Sequence, residues 1–435
     1  MITLQKLLAL AALVVLTAVV AVHAEQAGKA QKSKTPPIPK RSKMPPWPQL
    51  KTTRLGGVEP SAEQLADMQK GNYLLHARDG KLTRVPVQKS RLPIDPKGHA
   101  QVTYTAQDPR DRNSVYVNQC SVINKTTDGG KTWTSYKREW GESGGVGHFK
   151  ILKNGTFIGV WAQGENEPAR VMASLDEGRT WKQICEISTD VPGYTFIGRG
   201  QPLHRLPDDT LLYFARHDGP ISGLSYNWYS MSYIYRSDDG GKTWTGPHEY
   251  HEHVFEGGMT QLRSGRLFSV VRYQRPIWPE DPDNILKLTK GGSPTLGPRT
   301  PFKHTFLLES DDEGRTWKNF RQLTTDHGQC YGSPAALSDG TVVVVTTNGY
   351  NPRRSGLAMI SYDEGKTWED EAYYMYAPGV VGNAGNIGYN QSLMLDDDLI
   401  LTIAGTTDVG GRASHAASIG RSDLTAIRWK PLRKE

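Results

Sequence analysis

The stretch Ser237–Trp244 reads SDDGGKTW, and it is one of five closely related eight-residue boxes in a chain of 435 residues. Each box has the pattern Ser/Thr-x-Asp-x-Gly-x-Thr-Trp, and successive tryptophans are 48, 63, 73 and 51 residues apart. The boxes are Thr126–Trp133, Ser174–Trp181, Ser237–Trp244, Ser310–Trp317 and Ser361–Trp368, with a degraded sixth copy from Arg421 to Trp429. Repetition at this spacing is typical of folds built from similar units, such as propellers.

The box itself predicts a tight turn between two strands. Its Asp and Ser/Thr side chains suit hydrogen bonds to backbone N–H groups, its Gly suits a positive φ, and its Trp can pack on the adjacent core. Between boxes, an apolar stretch, a polar turn and a second apolar stretch recur, and each unit reads as a β-hairpin. These hairpins are Ile151–Trp161, Leu203–Phe214, Leu262–Val271, Ala335–Thr346 and Leu393–Ile403. Two hairpins per repeat predict an all-β, six-bladed propeller of four-stranded antiparallel blades.

The residues before the propeller fall into three segments. Lys6 precedes the apolar run Leu7–Val22 and a small-residue site ending at Ala24, which is typical of a signal peptide over residues 1–24. An uncleaved anchor is the alternative, although the run is short for a full membrane span. We expect residues 25–54 to be a basic, Pro-rich linker, residues 55–90 an N-terminal extension and residues 91–435 the propeller. The expected location is secreted or periplasmic, without stable membrane insertion after cleavage.

The net charge of +7 is concentrated in one tail. Residues 1–24 contribute +1 and residues 25–54 contribute +7, so the remaining 381 residues sum to −1. The folded part is therefore not built to hold nucleic acid. Three cysteines without a Cys-x-x-Cys pair exclude a zinc knuckle. His251 and His253 flank Glu252 in what reads as a solvated loop with no third ligand, so we expect no metal and no cofactor.

The boxes resemble the Asp-box of the sialidase (neuraminidase) superfamily, and the resemblance covers roughly residues 91–435. In that family the boxes lie on the outer face of a six-bladed propeller, away from the active site, so they are evidence for the fold alone. Asp-box propellers also occur in non-enzymatic receptors, assembly factors and polysaccharide lyases. Function must therefore be argued from other residues.

The resemblance implies a retaining exo-α-sialidase type of glycoside hydrolase, which releases a terminal acidic sugar from a glycan. Three arginines hold the substrate carboxylate in such a site, because a guanidinium binds carboxylate bidentately. A carboxylate nucleophile would be repelled by the substrate, and the family instead uses a tyrosine that a glutamate activates. An aspartic acid then protonates the leaving oxygen.

Taken in chain order, the sequence offers a residue for each of these roles. The expected substrate-binding residues are Arg91, Arg272 and Arg353, and the expected catalytic residues are Tyr389 as nucleophile, Glu256 as base and Asp111 as acid. Arg91 starts an Arg-Leu-Pro motif 42 residues before Trp133, and Glu256 and Arg272 bracket one inner hairpin. Alternatives remain open: Arg354 for Arg353, Asp108 for Asp111, and Arg199 or Arg216 for Arg91.

Two other classes of function fit the same boxes. A non-catalytic propeller would bind glycans or assist assembly without turnover. A propeller lyase acting on uronic polysaccharides would use Tyr and His in place of a Tyr and Glu couple, and it would release an unsaturated product that absorbs in the ultraviolet.

Exported protein is expected to begin at Glu25, because the apolar run and its small-residue site direct cleavage after Ala24. N-terminal sequencing of the exported protein measures this directly, and an intact Met1 would contradict it. Deletion of residues 25–54 should leave the thermal unfolding midpoint nearly unchanged, because that segment contains little to pack.

Overall fold

The computed structural model describes residues 55–93, 104–119, 122–139, 148–162, 167–197, 202–218, 230–275, 302–324, 332–347, 356–376, 390–407 and 422–432. Within these ranges nearly all regular structure is antiparallel β-sheet. None of the helices in the described residues is long and apolar enough to cross a membrane.

The described chain starts with a short helix and three strands. They are α1 (Ala62–Lys70), β1 (Tyr73–Arg78), β2 (Lys81–Pro86) and β3 (Gln88–Leu92). Helix α1 begins at a capping box, in which the backbone N of Gln64 donates to Ser61 Oγ (3.2 Å) and the backbone N of Ser61 donates to Gln64 Oε1 (2.8 Å). Leu65 and Met68 on its inner face are buried in the core between blades 4 and 5.

The first three blades follow in chain order. Blade 1 consists of β4 (Tyr104–Asp108), β5 (Asp111–Gln119), β6 (Val122–Thr126) and β7 (Thr134–Lys137). Blade 2 consists of β8 (Phe149–Ile151), β9 (Phe157–Trp161), β10 (Ala169–Ser174) and β11 (Lys182–Ile187). Blade 3 consists of β12 (Thr195–Ile197), β13 (Leu203–Arg205), β14 (Leu211–Asp218), β15 (Ser230–Ser237) and β16 (Thr245–Glu252). Its innermost layer is split, because β12 and β13 pair with different parts of β14.

The last three blades complete the fold. Blade 4 consists of β17 (Val254–Gln261), β18 (Leu267–Arg275), β19 (Phe302–Ser310) and β20 (Lys318–Gln322). Blade 5 consists of β21 (Ser333–Ala336), β22 (Val342–Thr347), β23 (Gly356–Ser361) and β24 (Glu371–Tyr376). Blade 6 consists of β25 (Asn390–Met394), β26 (Ile400–Thr407), β27 (Ser422–Trp429) and the early strand β3. The predicted six-bladed all-β propeller is confirmed.

Segments far apart in sequence complete blades 5 and 6. Strand β3 pairs antiparallel with β27, so residues 88–92 supply the outermost strand of the last blade. Strand β1 pairs with β24, and the β1–β2 hairpin thus widens blade 5 to six strands. A buried network fastens this hairpin: Glu371 accepts from His76 Nε2 (2.9 Å) and from the Tyr362 hydroxyl (2.8 Å). Much of the segment that the sequence analysis set apart as an extension therefore lies within two blades.

Each box tryptophan packs into the core that its blade shares with the preceding blade. Trp133 contacts the core between blades 6 and 1, and Trp244 contacts the core between blades 2 and 3. Trp429, from the degraded sixth copy, is 1 % exposed in the core between blades 5 and 6 and donates its Nε1 hydrogen to Thr402 Oγ1 (3.0 Å). Every pair of neighbouring blades is therefore joined by an aromatic wedge.

The box aspartates organise the turns by accepting several hydrogen bonds at once. Asp239 Oδ1 accepts from the backbone N of Lys242 (3.0 Å) and of Thr243 (2.9 Å), and Oδ2 accepts from the Thr243 hydroxyl (2.6 Å). Burial by itself would raise the pKa of Asp239, but these bonds to its charged form outweigh burial and lower it. The carboxylate is thus fixed to local backbone and acts in folding.

Substitution Asp239→Ala should lower the free energy of unfolding by about 1–2 kcal/mol, because solvent-exposed turn bonds are lost without collapse of the core. Urea unfolding of both proteins measures the difference. Asp190→Ala, which removes an exposed aspartate that bonds no other described residue, is the matched control.

The loss of stability caused by Asp239→Ala should depend on pH. Because the folded pKa of Asp239 lies below the unfolded value of about 3.9, its contribution is complete above that value and is lost as the pH falls through the folded pKa. The stability gap between wild type and Asp239→Ala should therefore narrow in acid. A gap that stays constant down to the folded pKa would contradict this account.

Candidate active site

The strand directions define two ends of the propeller. The innermost strands all run the same way, so they begin together at one end, which we call the entrance end, and turn back at the other. The Asp-boxes lie at this second end: the backbone N of Gly129, in the first box, donates to Asn113 O beside the β4–β5 turn (2.9 Å). The backbone N of Glu364, in the fifth box, likewise donates to Gly340 O in the β21–β22 turn (3.1 Å). We call it the box end.

The structure brings Glu256 and Arg272 together at the entrance end of blade 4. Val254 pairs with Tyr273 and Gly257 with Val271, and the register shift between these pairs leaves Glu256 beside Arg272. Arg272 Nη1 donates to Glu256 Oε2 at 2.5 Å, which is a charge-assisted bond. Their side chains are 17 % and 25 % exposed, so the pair is accessible from solvent and not sealed in the core.

Three of the expected residues, Tyr389, Arg353 and Arg354, lie outside the described residues. The described residues that come after them in the sequence begin two strands. Asn390, which follows Tyr389, begins the innermost strand of blade 6 and is fully buried. Gly356 begins the third strand of blade 5. Both strands start at the entrance end, which is the end of Glu256 and Arg272.

Asp111 and Asp108 lie at the box end, away from the Glu256–Arg272 pair. Strand β4 ends at Asp108 and β5 begins at Asp111, so both residues belong to the turn that reverses the chain. Asp108 accepts from Arg110 Nε (2.8 Å) and Nη2 (2.6 Å), and these bonds outweigh burial and keep its pKa below the ordinary value. Asp111 accepts from the backbone N of Asn113 (3.0 Å) and the Ser114 hydroxyl (2.6 Å). Neither carboxyl is placed to protonate a leaving group beside Glu256.

Arg91 is likewise separated from that pair. It lies opposite Thr425 on β3, the outermost strand of blade 6, and its side chain is exposed. Three strand spacings of about 4.8 Å each lie between β3 and the innermost strand of the blade, roughly 14 Å in all. The structure therefore does not bring Arg91 to the propeller axis with Arg272.

Of the substitutes for Arg91, Arg216 lies at the entrance end and Arg199 is outside the described residues. Arg216 donates from Nε and Nη2 to the two oxygens of Asp218, at 2.7 and 2.6 Å. The fork of this guanidinium is thus already engaged by a carboxylate. His217, between Arg216 and Asp218 in the sequence, is fully buried, and its Nε2 lies 2.9 Å from Thr189 O. Its role is therefore in packing.

The His251–His253 segment is not the solvated loop that the sequence suggested. Strand β16 ends at Glu252, and Glu252 and His253 are buried where blades 3 and 4 meet. His251 stacks on Phe320 with ring centroids 3.7 Å apart. Burial, aided by the charge of Arg275, lowers the pKa of His253 to about 3. Among the described residues, no cluster of His, Cys, Asp and Glu is arranged to hold a metal ion.

A tyrosine–histidine pair at the entrance end was missed by the sequence analysis. Tyr104 begins the innermost strand of blade 1, and His148 directly precedes that of blade 2. Their rings are 3.8 Å apart between centroids at an angle of 59°, and His148 is 7 % exposed. The available signal was positional, because His148 stands just before an inner hairpin, as Glu256 does.

Comparison with known proteins bears on the repeats. The family model of the BNR/Asp-box repeat matches residues 235–245, which include the third box. Among the described residues, five box turns with the same aspartate geometry stand in an assembly of six blades, which settles the assignment. The chain is a six-bladed Asp-box propeller. No curated protein matches it.

Solved structures align with this chain at low sequence identity. A protein of unknown function from Dyadobacter fermentans aligns with a TM-score of 0.52 and 15 % identity, covering 78 % of this chain and 97 % of its own. A Hadza microbial sialidase aligns at 0.48 and 16 %, covering 75 % and 65 %. An α-L-arabinanase from Penicillium chrysogenum, complexed with arabinobiose, aligns at 0.48 and 14 %, covering 78 % and 98 %. The likeness to the Dyadobacter protein concerns the fold alone.

Proposed function

We propose that this propeller is a retaining glycoside hydrolase that releases a terminal acidic sugar, such as a sialic acid, from a glycan. The observation that carries the proposal is the Glu256–Arg272 pair at the entrance end, bonded at 2.5 Å and only half-buried. A propeller binds ligands where the blades converge on its axis, and the entrance end of blade 4 presents a cation and a potential base side by side. The signal-peptide pattern supports secretion or a periplasmic location.

Arg272 would bind the sugar carboxylate, together with Arg353 or Arg354 from blade 5. An anionic substrate disfavours a carboxylate nucleophile, and Tyr389 is proposed to attack instead. A tyrosine hydroxyl has an ordinary pKa of about 10, so it needs a base to be nucleophilic at neutral pH. Glu256 would accept that proton, and the cationic Arg272 would favour the phenolate.

The proposed reaction proceeds in two displacements. The Tyr389 oxygen, its proton passed to Glu256, bonds to the anomeric carbon while the bond from that carbon to the leaving oxygen breaks, and the leaving oxygen takes a proton from solvent water. A second water then attacks the anomeric carbon and gives its proton to the hydroxide left by the first, the tyrosyl–sugar bond breaks, and Glu256 returns its proton to the Tyr389 oxygen. Asp111, Asp108 and Arg91 are left out of this scheme, because the described structure places them at the box end or on an outer strand.

A second candidate, a lyase on uronic polysaccharides, is favoured by one observation, the contact between Tyr104 and His148. β-Elimination requires a base for the proton next to the carboxylate and an acid for the leaving oxygen, and a Tyr and His couple can supply both. The cation at Arg272 would neutralise the uronic carboxylate.

On a fluorogenic sialoside, Glu256→Gln and Tyr389→Phe should each lower kcat by orders of magnitude, because each removes a group that acts in the transition state. Arg272→Lys should chiefly raise KM, since an ammonium cannot replace a guanidinium fork. Glu249→Gln, an exposed glutamate on β16, is the matched control and should behave as wild type. Full turnover by Tyr389→Phe would eliminate the assigned nucleophile.

The same protein preparation separates the alternative functions. Release of the free acidic sugar supports the hydrolase. An ultraviolet-absorbing product from a uronic polysaccharide, lost in His148→Ala, would replace the hydrolase with the lyase. Glycan binding without turnover on either substrate would leave a binding propeller.

A further inference from the structure

Lys150 lies on the innermost strand of blade 2, deeper along the axis than the Glu256–Arg272 pair. Its depth along the axis follows from a series of hydrogen bonds that link the inner strands of blades 4, 5, 6, 1 and 2 in turn. In that order the bonds are Gly258 N to Gly332 O (3.0 Å), Ser392 N to Ser333 Oγ (2.6 Å), Thr105 Oγ1 to Gln391 Oε1 (3.2 Å) and Lys150 Nζ to Thr105 O (3.0 Å). Lys150 is thus level with Gly258, two residues from Glu256. At about 3.3 Å per residue, Glu256 is roughly 7 Å nearer the entrance.

The amine of Lys150 has a single acceptor among the described residues, the backbone carbonyl of Thr105. An ammonium carries three N–H donors, so two have no protein acceptor in this part of the chain. The nearby cation Arg205 is paired, because it bonds Asp209 at 2.8 Å. Lys150 forms no ion pair in the described residues, and the charge that acts on it is the cation of Arg205.

A half-buried cation without an anion is unfavourable, because burial removes water that nothing replaces. Burial accordingly lowers the pKa of Lys150 to about 8, and the charge of Arg205 lowers it further. At neutral pH most of the amine is still protonated. The position therefore keeps a positive charge that an incoming anion would stabilise.

His204, on the innermost strand of blade 3, which contacts the strand of Lys150, adds a neutral donor within range of this charge. Burial, and then the charge of Lys150, lower the pKa of His204 to about 3, so the imidazole is uncharged at neutral pH. Its ring packs edge-on against Phe214, and it has no hydrogen bond to any described residue. A neutral imidazole always carries one N–H, which can donate to an anion.

We infer that Lys150 and His204 form an oxyanion subsite on the propeller axis, deeper than the residues proposed for catalysis. The ligand class is a small oxyanion, either free in solution or as the carboxylate or sulfate of a bound sugar. The subsite combines one ammonium with one neutral N–H donor and contains no acidic side chain among the described residues. It is distinct from an arginine clamp, because its charge can be titrated.

Sulfate binding to the full-length protein, measured by isothermal titration calorimetry at pH 7, tests the subsite. Lys150→Met should weaken sulfate at least tenfold. Lys153→Met, which removes an exposed lysine three residues along the same chain, should bind as wild type. Equal affinity in wild type and Lys150→Met would overturn the inference.

The pH dependence of wild type gives a second readout that needs no variant. Bound sulfate requires the charged amine, so affinity should be highest below the pKa of about 8 and fall as the pH rises above it. Arginine does not titrate in this range, so sulfate held by Arg272 would bind equally at pH 7 and pH 9. A flat profile would therefore also overturn the inference.

A third arm identifies the source of the anion and separates this site from the proposed activity. Glucuronate that binds at least tenfold more tightly than sulfate, with the same dependence on Lys150, assigns the subsite to a sugar carboxylate. Equal affinities assign it to free inorganic anions. Because no arm reads turnover, an inactive protein with Lys150-dependent binding would reject the hydrolase and retain the subsite.

Discussion

The antiparallel pairing of β3 with β27 is the constraint on which the rest of the propeller depends. Five residue pairs, from Leu92 opposite Leu424 to Gln88 opposite Arg428, join chain segments more than 300 residues apart. Each blade packs only on its two neighbours. While β3 pairs with β27 the ring is closed, and no blade has an uncovered packing face. Entrance groups on different blades, such as Tyr104 on blade 1 and Glu256 on blade 4, hold their mutual positions through this ring.

The two ends of the molecule divide stability and chemistry between them. At the box end, aspartates are saturated by turn N–H groups, and tryptophans wedge into the seams between blades. At the entrance end Glu256 carries a partly exposed charge, and along the axis Lys150 has N–H donors without an acceptor among the described residues. A rigid box end lets the entrance groups be placed for binding without weakening the cores.

The sequence predicted those features whose pattern is local. The boxes specify their own turns, and the polar turn at Ser264 and Gly265 shows that Glu256 and Arg272 bracket one hairpin, so their meeting could be anticipated. Chain order names Asp111 as the catalytic acid, although the Asp-Pro-Arg-Asp run that contains it is itself a hairpin turn at the box end.

Features that depend on contacts between distant segments of the chain could not be predicted from local sequence patterns. Arg91 lies on an outer strand because residues 88–92 pair with a strand made at the far end of the chain, and no local pattern records that partner. His253 reads as polar loop, but the neighbouring blade buries it. To predict that His148 lies at the entrance end requires the register of the inner strands, and the repeats in the sequence define that register only approximately.

The late partner of β3 also governs the order in which the protein can fold. During synthesis, residues 88–92 leave the ribosome early, whereas residues 424–428 appear only after five blades have been made. Until then β3 is an unpaired strand, and the blade it belongs to has no other outer edge. Such long-range pairing gives a high contact order and slow final docking, with sheet edges open to aggregation. The nascent propeller is thus obliged to remain an open arc until almost its whole chain exists.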